Sequence, residues 1–293
     1  MPLYNFIPEI EILKNKISAY LSTGPENFSF VWNKFDALLS LSWYLKDRDK
    51  IKKIVYSSNS EHEHDILKIA KLLNLSTNKI SLLPTINEIR QNVREDDLLI
   101  IGNPVFPLSC MVPLKRIARL AEKNNFNVIF DISLSFYWLG YDLYKTPVKY
   151  AIFSMDRFNS YSSPVVIFHK EFDLKYLTGT IKHWSFSAPE INFEEKQKLY
   201  TSINEIYTQI NKILTDYGFI PVCSKIFPLI SSHYIPKTID TNKLSSLLQF
   251  NDINYQIIPG QRNILIISMA QMLEKNLNPD IINNILLRLS KSG

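Results

Sequence analysis

The chain has 293 residues, of which 46% are hydrophobic and 21% charged, and its formal net charge is +5 at pH 7. These proportions describe an ordinary globular protein that can bury a substantial core, in one large domain or in a large and a small one. No apolar run approaches the roughly 20 residues of a membrane span, and the N-terminus lacks the pattern of a signal peptide. From the missing span and signal pattern we expect a cytoplasmic protein that binds no membrane. Because the positive charge is spread along the chain, we also expect it to bind no nucleic acid.

Two residue types are informative because they are scarce. The chain has seven glycines, which is few for its length. Phosphate-binding loops need glycine where the backbone approaches a ligand closely, so such loops are not expected to be common here. The two cysteines, Cys110 and Cys223, fit neither the spacing of metal ligands nor a disulfide framework. We therefore expect both thiols to be reduced.

The first ninety or so residues alternate helical and strand patterns after a short arm. The arm and a first helix occupy residues 1–27, and a second helical pattern runs from Phe30 to Leu45. Short apolar runs near 53–56 and 80–83 predict strands. Further helices are expected near 66–73 and 86–93.

Two histidines follow the first of these strands, in the sequence EHEHD at 61–65. A metal site formed by His62, His64 and the neighbouring acids is one interpretation. At the start of a helix, however, residues two positions apart face different sides. We therefore favour a solvated N-terminal turn that is stabilised by its acidic residues.

The chain is organised around residues 96–138, which have the pattern of one βαβ unit. The run Leu98–Ile101 predicts a buried strand, a helix follows, and a second strand, Val128–Phe130, delivers Asp131 at its carboxyl end. Ligands bind at that edge in open α/β sheets because loops and helix N-termini converge there. Asp131 is therefore the first candidate site residue, and its alternative interpretation is a satisfied cap or turn residue.

The sequence of the second half predicts two more strands, followed by a long helix and a smaller domain. The strands are expected at Tyr150–Phe153 and Val165–His169, and a long helix begins after Asn192 and ends at Gly218. The remainder predicts a smaller α+β domain with an antiparallel sheet. The predicted fold class is thus α/β, with a mostly parallel, doubly wound sheet in the large domain. The predicted divisions are 1–27 for the arm and first helix, 28–185 for the large domain, and 186–293 for the long helix and small domain.

Four segments carry a resemblance to a known family. They are NPVFPLS at 103–109, DISLSFYW at 131–138, FSMDRF at 153–158, and NYQIIP followed by NILIISMA in the C-terminal domain. In this order they resemble the fold type I pyridoxal-phosphate-dependent aminotransferases. The matching branch is class I/II, which includes histidinol-phosphate aminotransferases and threonine-phosphate decarboxylases. The resemblance covers most of the chain and implies the pyridoxal-phosphate-transferase fold.

The resemblance also implies chemistry that the aligned residues do not supply. In such enzymes a lysine forms the aldimine with pyridoxal phosphate, and an aspartate pairs with its pyridinium nitrogen. Asp131 matches the aspartate and Ser154 a phosphate-contacting position, but Arg157 stands in place of the lysine. A guanidinium stays protonated and cannot act as a Schiff-base amine. The lysines nearest in sequence, Lys149 and Lys170, lie before one predicted strand and after the next.

Other positions of the family's site are also replaced. A phosphate dianion needs several donors or positive charges, and beside Ser154 only Lys34 and Arg157 are candidates. In one interpretation Arg157 pairs with Asp131 and fills the cofactor cavity with an ion pair. The replaced positions are Phe106 for a ring-contacting asparagine, Leu134 for a tyrosine, Val165 for a phosphate-binding arginine, the glycine-free segment 31–37 for the phosphate cup, and Ile266 for a carboxylate-binding arginine.

The leading hypothesis is an aminotransferase-like pseudoenzyme that has lost pyridoxal-phosphate chemistry, holds no cofactor and serves a binding or assembly role. The resemblance implies a homodimer, or a heterodimer with an active relative, and a small anionic ligand held by Arg157 is a further hypothesis. The alternative is a divergent but active aminotransferase or decarboxylase that acts on an amino acid or amino-acid phosphate. It would bind pyridoxal phosphate through Asp131 and Ser154. It would require either a lysine displaced from the aligned position or non-covalent cofactor binding held by Asp131.

Overall fold

The computed structural model describes residues 8–57, 62–105, 107–136, 141–143, 145–154, 165–178 and 193–291. The chain divides into two compact units. The first comprises Met1–Asn103 and Val112–Ile191, and the second comprises Pro104–Met111 and Asn192–Gly293. The second unit thus includes a short segment from the middle of the predicted large domain.

The strands described in the first unit form one mostly parallel sheet. They are β1 Phe28–Val31, β2 Lys53–Ser57, β3 Ser76–Ile80, β4 Asp97–Gly102, β5 Asn127–Asp131, β6 Tyr150–Ser154 and β7 Val165–His169. Their order is β1-β7-β6-β5-β4-β2-β3. β7 runs antiparallel to β1 and β6, and the other neighbours pair in parallel. β6 and β7 are buried along their whole length, as expected for strands covered on both faces. The predicted α/β fold is confirmed.

The α-helices described in the first unit are α1 Pro8–Leu21, α2 Lys34–Asp49, α3 Glu63–Leu72, α4 Ile86–Asn92, α5 Leu114–Asn124 and α6 Ser133–Phe136. Among them, α1 precedes β1, and each of the others follows one of the strands β1 to β5. α5 buries Leu114, Ile117 and Ala121 on one face, which is the amphipathic pattern of a helix packed on a sheet.

The start of α2 differs from the prediction. Phe30 lies in β1, and the helix begins at Lys34, where the Asn33 side chain accepts a hydrogen bond from Asp36 N at 2.8 Å. A four-residue strand presents two side chains to each face. That is too few to separate a strand period from a helical one in sequence.

β3 also lies before its predicted position at 80–83. It pairs in parallel with β2 alone, in the register Lys53↔Ser76 to Ser57↔Ile80. Its residues are exposed or half-buried up to Ile80. A strand at the edge of a sheet does not need an apolar sequence. The strand was therefore predicted at the apolar run 80–83, which follows the true position of β3.

The second unit is an α+β domain with an antiparallel sheet, as predicted. Its sheet has the order β10-β11-β9-β8 in the described residues. The helix α7 ends just before Gly218, whose φ of +82° favours glycine. The elements are α7 Phe193–Asp216, β8 Ile220–Pro221, β9 Ile230–Tyr234, α8 Thr241–Phe250, β10 Tyr255–Ile258, β11 Ile264–Ser268, α9 Met269–Glu274 and α10 Asp280–Lys291. None of the helices in the described residues has the length and apolar character needed to cross a membrane.

Candidate functional site

A cluster of buried polar side chains lies at the carboxyl edge of the first unit's sheet. Asp131 is the last residue of β5, and Ser133 is the first residue of α6. Lys34 is the first residue of α2, and His62 directly precedes α3. Because parallel strands end at the same edge, the connections that follow β1, β2 and β5 converge on one place.

Asp131 is the centre of this cluster. Its Oδ2 accepts a hydrogen bond from Lys34 Nζ at 2.7 Å and lies 2.6 Å from His62 Nε2. Its Oδ1 accepts hydrogen bonds from Ser133 N at 2.8 Å and from Ser133 Oγ at 2.5 Å. Both carboxylate oxygens are therefore engaged by groups of the chain itself.

The cluster holds an ion pair away from water. The side chains of Lys34 and Asp131 are 3% and 2% exposed, and that of His62 is 2% exposed. Charges so deeply buried are stable only when they are paired and hydrogen-bonded. Lys34 also lies in the first turn of α2, where the helix N-terminus is itself positive. The Asp131 carboxylate offsets that unfavourable placement.

Ser133 connects Asp131 with the second predicted site residue. Ser154 ends β6, is buried, and donates a hydrogen bond from its backbone N to Ser133 Oγ at 3.0 Å. The hydrogen bond from Ser133 N to Asp131 Oδ1 is that of an Asx turn. Asp131 is therefore a turn residue, as its alternative interpretation predicts, and it is also the ion-pair partner of Lys34. Its use as a ligand-binding residue stays a prediction.

A second buried network adjoins the first through the backbone of Asp131. Asn103 N donates to Asp131 O at 2.7 Å, and Ser135 Oγ donates to Asn103 O at 2.5 Å. Ser135 Oγ lies 2.6 Å from the hydroxyl of Tyr141. Burial raises the pKa of Tyr141 to about 12. The phenol therefore stays neutral at physiological pH and serves as a hydrogen-bonding group.

The prediction for His62 was wrong. Instead of a solvated turn, the structure places this side chain in the interior against Asp131. His64, by contrast, is exposed. In the described part of the chain no group of three metal-binding side chains occurs. The solvated-turn interpretation failed because it considered the helix alone, whereas the strand edge brings Asp131 beside its start.

The lysines nearest to Arg157 in sequence lie at the opposite end of β6. Lys149 precedes this strand, and Lys170 N donates to Lys149 O at 3.1 Å. Lys170 Nζ donates to Thr146 O at 2.6 Å. The length of a five-residue strand, on the order of 16 Å, separates this end from the end that carries Ser154. Neither lysine reaches Asp131.

The other predicted positions are distributed over both units. Arg157 and Phe106 lie outside the described residues, so an ion pair between Arg157 and Asp131 stays a prediction. Leu134 follows Ser133 in α6, and Val165 is buried in β7, opposite Ser154. Ile266 lies in β11 of the second unit.

Sequence reasoning missed the roles of Lys34, His62 and Ser133. Two signals were present in the sequence. A serine two residues after an aspartate at a strand end is a common turn pattern. A lysine in the first turn of a helix opposes the helix dipole, and it therefore needs an acidic partner from elsewhere in the chain.

Comparison with known structures places this geometry in a recognised fold. No family model and no curated protein sequence matches the chain. Among solved structures, 8-amino-7-oxononanoate synthase from Francisella tularensis has a TM-score of 0.73 and 16% identity, covering 99% of this chain and 89% of that one. An aspartate aminotransferase from Thermus thermophilus has a TM-score of 0.70 and 12% identity, covering 96% and 90%.

A third structure is a mutant of C-DES with glycine covalently linked to its pyridoxal-phosphate cofactor. Its TM-score is 0.70 at 14% identity, with 96% of this chain and 85% of that chain covered. The chain therefore has the fold of the fold type I pyridoxal-phosphate-dependent enzymes. The family resemblance stated from the sequence is confirmed at the level of the fold.

The described residues do not fit pyridoxal phosphate beside Asp131. The carboxylate that would hold the pyridine nitrogen is bonded by Lys34, His62 and Ser133. The segment 31–37, which corresponds to the phosphate cup, has no glycine, and its lysine points at Asp131. A pyridine ring could contact Asp131 only if Lys34 or His62 moved away.

Proposed function

We propose that this chain is a non-catalytic protein built on the pyridoxal-phosphate-transferase fold, in which an internal ion pair stands where the cofactor ring would bind. The observation that carries the proposal is the distance of 2.7 Å between Lys34 Nζ and Asp131 Oδ2 in the interior. The aspartate that matches the family's cofactor-binding residue thus serves the stability of the chain.

The position of Lys34 also argues against its use as a Schiff-base lysine. In pyridoxal phosphate the ring nitrogen and the aldehyde carbon lie at opposite ends of the ring. An amine in contact with the carboxylate that holds the nitrogen is therefore at the wrong end to form the aldimine.

The role proposed for the chain is binding or assembly, as a homodimer or as a heterodimer with an active relative. The support is the likeness to a family whose members act as dimers. A small anionic ligand held by Arg157 remains part of the proposal. Neither a nucleic acid nor a membrane is proposed as a partner.

Titration with pyridoxal phosphate, followed by borohydride reduction, intact mass and peptide mapping, tests the proposal. We expect no visible absorbance band of a specific aldimine. Any reduced adduct should be substoichiometric and spread over surface lysines, because the interior site is filled by Lys34. Lys34→Ala and Lys52→Ala serve as matched variants, since Lys52 forms an exposed pair with Asp96. Because the wild-type protein should form no specific adduct, neither variant should differ from it by the loss of one.

One adduct per chain on a single lysine, lost when that lysine is replaced, would overturn the proposal. Peptide mapping of the wild-type protein identifies that lysine even if Lys34→Ala fails to fold.

The second candidate is a divergent active enzyme that uses pyridoxal phosphate. It is favoured by the presence of Asp131 and Ser154 at positions that match the family. It is also favoured by the likeness to the C-DES mutant, whose structure contains glycine covalently linked to this cofactor. Under this alternative the titration gives the specific adduct, and a screen of amino acids and amino-acid phosphates follows.

A further inference from the structure

The second unit brings together two segments that are far apart in sequence. Met111 N donates to Lys225 O at 2.8 Å, and Phe227 N donates to Ser109 O at 2.7 Å. Cys110 lies between these two bonds and faces Ile226 as an antiparallel bridge partner. The segment Pro104–Met111 is thus held beside the chain that leads from β8 to β9.

This arrangement brings the protein's two cysteines together. The Cys110 side chain is buried, whereas the Cys223 side chain is partly exposed. Lys225 O accepts a hydrogen bond from Met111 N at 2.8 Å and another from Cys223 Sγ, so the Cys223 sulfur lies next to the backbone that carries Cys110. Cys110 Sγ also donates to Leu108 O at 3.6 Å, and Cys223 Sγ donates to Lys225 O at 3.3 Å. About 110 residues separate the two thiols along the chain, so only the fold creates the pair.

We propose that Cys110 and Cys223 form a reversible redox site, closed to an intramolecular disulfide by exchange with a low-molecular-weight disulfide such as oxidised glutathione. The site is distinct from the Asp131 cluster and is independent of whether the chain binds a cofactor.

The two thiols are suited to different steps. The neighbouring Cys223 thiol, and then burial, raise the pKa of Cys110. The neighbouring Cys110 thiol lowers the pKa of Cys223. Cys223 is therefore the accessible thiol with the greater thiolate character, and thiolates are the attacking species in exchange.

The exchange proceeds in two balanced steps. The Cys223 thiolate attacks one sulfur of oxidised glutathione, forms a mixed disulfide and releases one glutathione thiolate, which takes up a proton. Cys110 then loses its proton and attacks Cys223 Sγ, which closes the protein disulfide and releases the second glutathione. The protein is oxidised by two electrons, and the glutathione disulfide is reduced to two thiols.

The test treats the full-length protein under native conditions with oxidised glutathione, followed by thiol blocking, intact mass and non-reducing peptide mapping. We expect the wild-type protein to lose two hydrogens and to retain no glutathione. It should take up no blocking reagent, and it should yield one peptide pair joined through Cys110 and Cys223. Addition of dithiothreitol should restore both thiols.

Two variants separate the roles. Cys110→Ala should stop at a stable mixed disulfide with one glutathione, because no second thiol resolves it. Cys223→Ala should react far more slowly, because the remaining thiol is buried. Accumulation of the mixed disulfide in the wild-type protein, a disulfide-linked dimer, or equal reactivity of Cys223→Ala and the wild type would each overturn the proposal. The wild-type peptide map decides the question even if a variant does not fold.

Discussion

At the scale of single residues, the candidate site is a carboxylate with both oxygens hydrogen-bonded by described groups of the chain itself. Asp131 has donors on both oxygens and lies almost wholly away from water. Buried ion pairs contribute little net stability compared with apolar replacements, but the loss of one partner leaves an uncompensated charge. A large loss in the free energy of unfolding is therefore expected only when one partner of the cluster is removed.

Lys34→Ala should destabilise the protein by about 3–5 kcal/mol, because Asp131 would keep its charge in the interior without its cation. Urea denaturation gives the free energy of unfolding. The exposed pair of Lys52 and Asp96 provides the control, since Lys52→Ala should cost no more than about 1 kcal/mol.

The double variant Lys34→Met with Asp131→Asn should be less destabilising than the sum of the two single changes, because it removes both charges together. Equal effects of Lys34→Ala and Lys52→Ala, or strict additivity in the double variant, would show that the buried pair does not have this role.

At the scale of elements, His233 of β9 packs against α7. Its Nε2 donates to Asn211 Oδ1 at 2.8 Å, and its Nδ1 accepts from Ser231 Oγ at 3.0 Å, which suits the neutral ring. Burial lowers the pKa of His233 from its ordinary 6.5 to about 4. The unfolded chain therefore binds a proton that the folded chain does not bind between these two pH values.

The sign of the pH dependence follows from that difference. The contribution of His233 to stability is complete above about pH 6.5 and is lost as the pH falls towards about 4. Of the loss between about pH 7 and about pH 5, the share of His233 is about 2 kcal/mol, which His233→Gln should remove. The similar share of His169, whose pKa burial also lowers to about 4, should remain in that variant. Urea denaturation at the two pH values measures the change. The exposed His64 is the control, and a wild-type slope in His233→Gln would contradict the argument.

At the scale of the whole molecule, the proposal predicts a dimer. The fold likeness extends over 96–99% of the chain in the three structures compared above. Sedimentation velocity on the purified protein should therefore give twice the chain mass of 34.1 kDa. A sample that remains monomeric over a wide concentration range would leave a heterodimer with a relative as the form to seek, and co-expression would test for it.

Much of the fold could be predicted from local patterns. The strands β4 to β7 are short apolar runs bounded by turn residues, and the helical period of α5 and α7 is regular. β1 and β3 were harder, because one is four residues long and the other is a polar edge strand. Asp131 could be identified because it ends a buried strand at the edge where ligands bind in such sheets.

Local sequence patterns established the α/β class and the small antiparallel domain, whereas the placement of Arg157 at the position of the family's lysine stays a prediction. Each of these depends on residues that are close together in the chain. The contacts of Lys34 and His62 with Asp131, and the pairing of the segment around Cys110 with the segment around Cys223, arise only in the tertiary structure. Such contacts join residues about 70 to 110 positions apart. They arise because parallel strands end at one edge and because a short segment of the first half pairs with the second unit, which no local periodicity records.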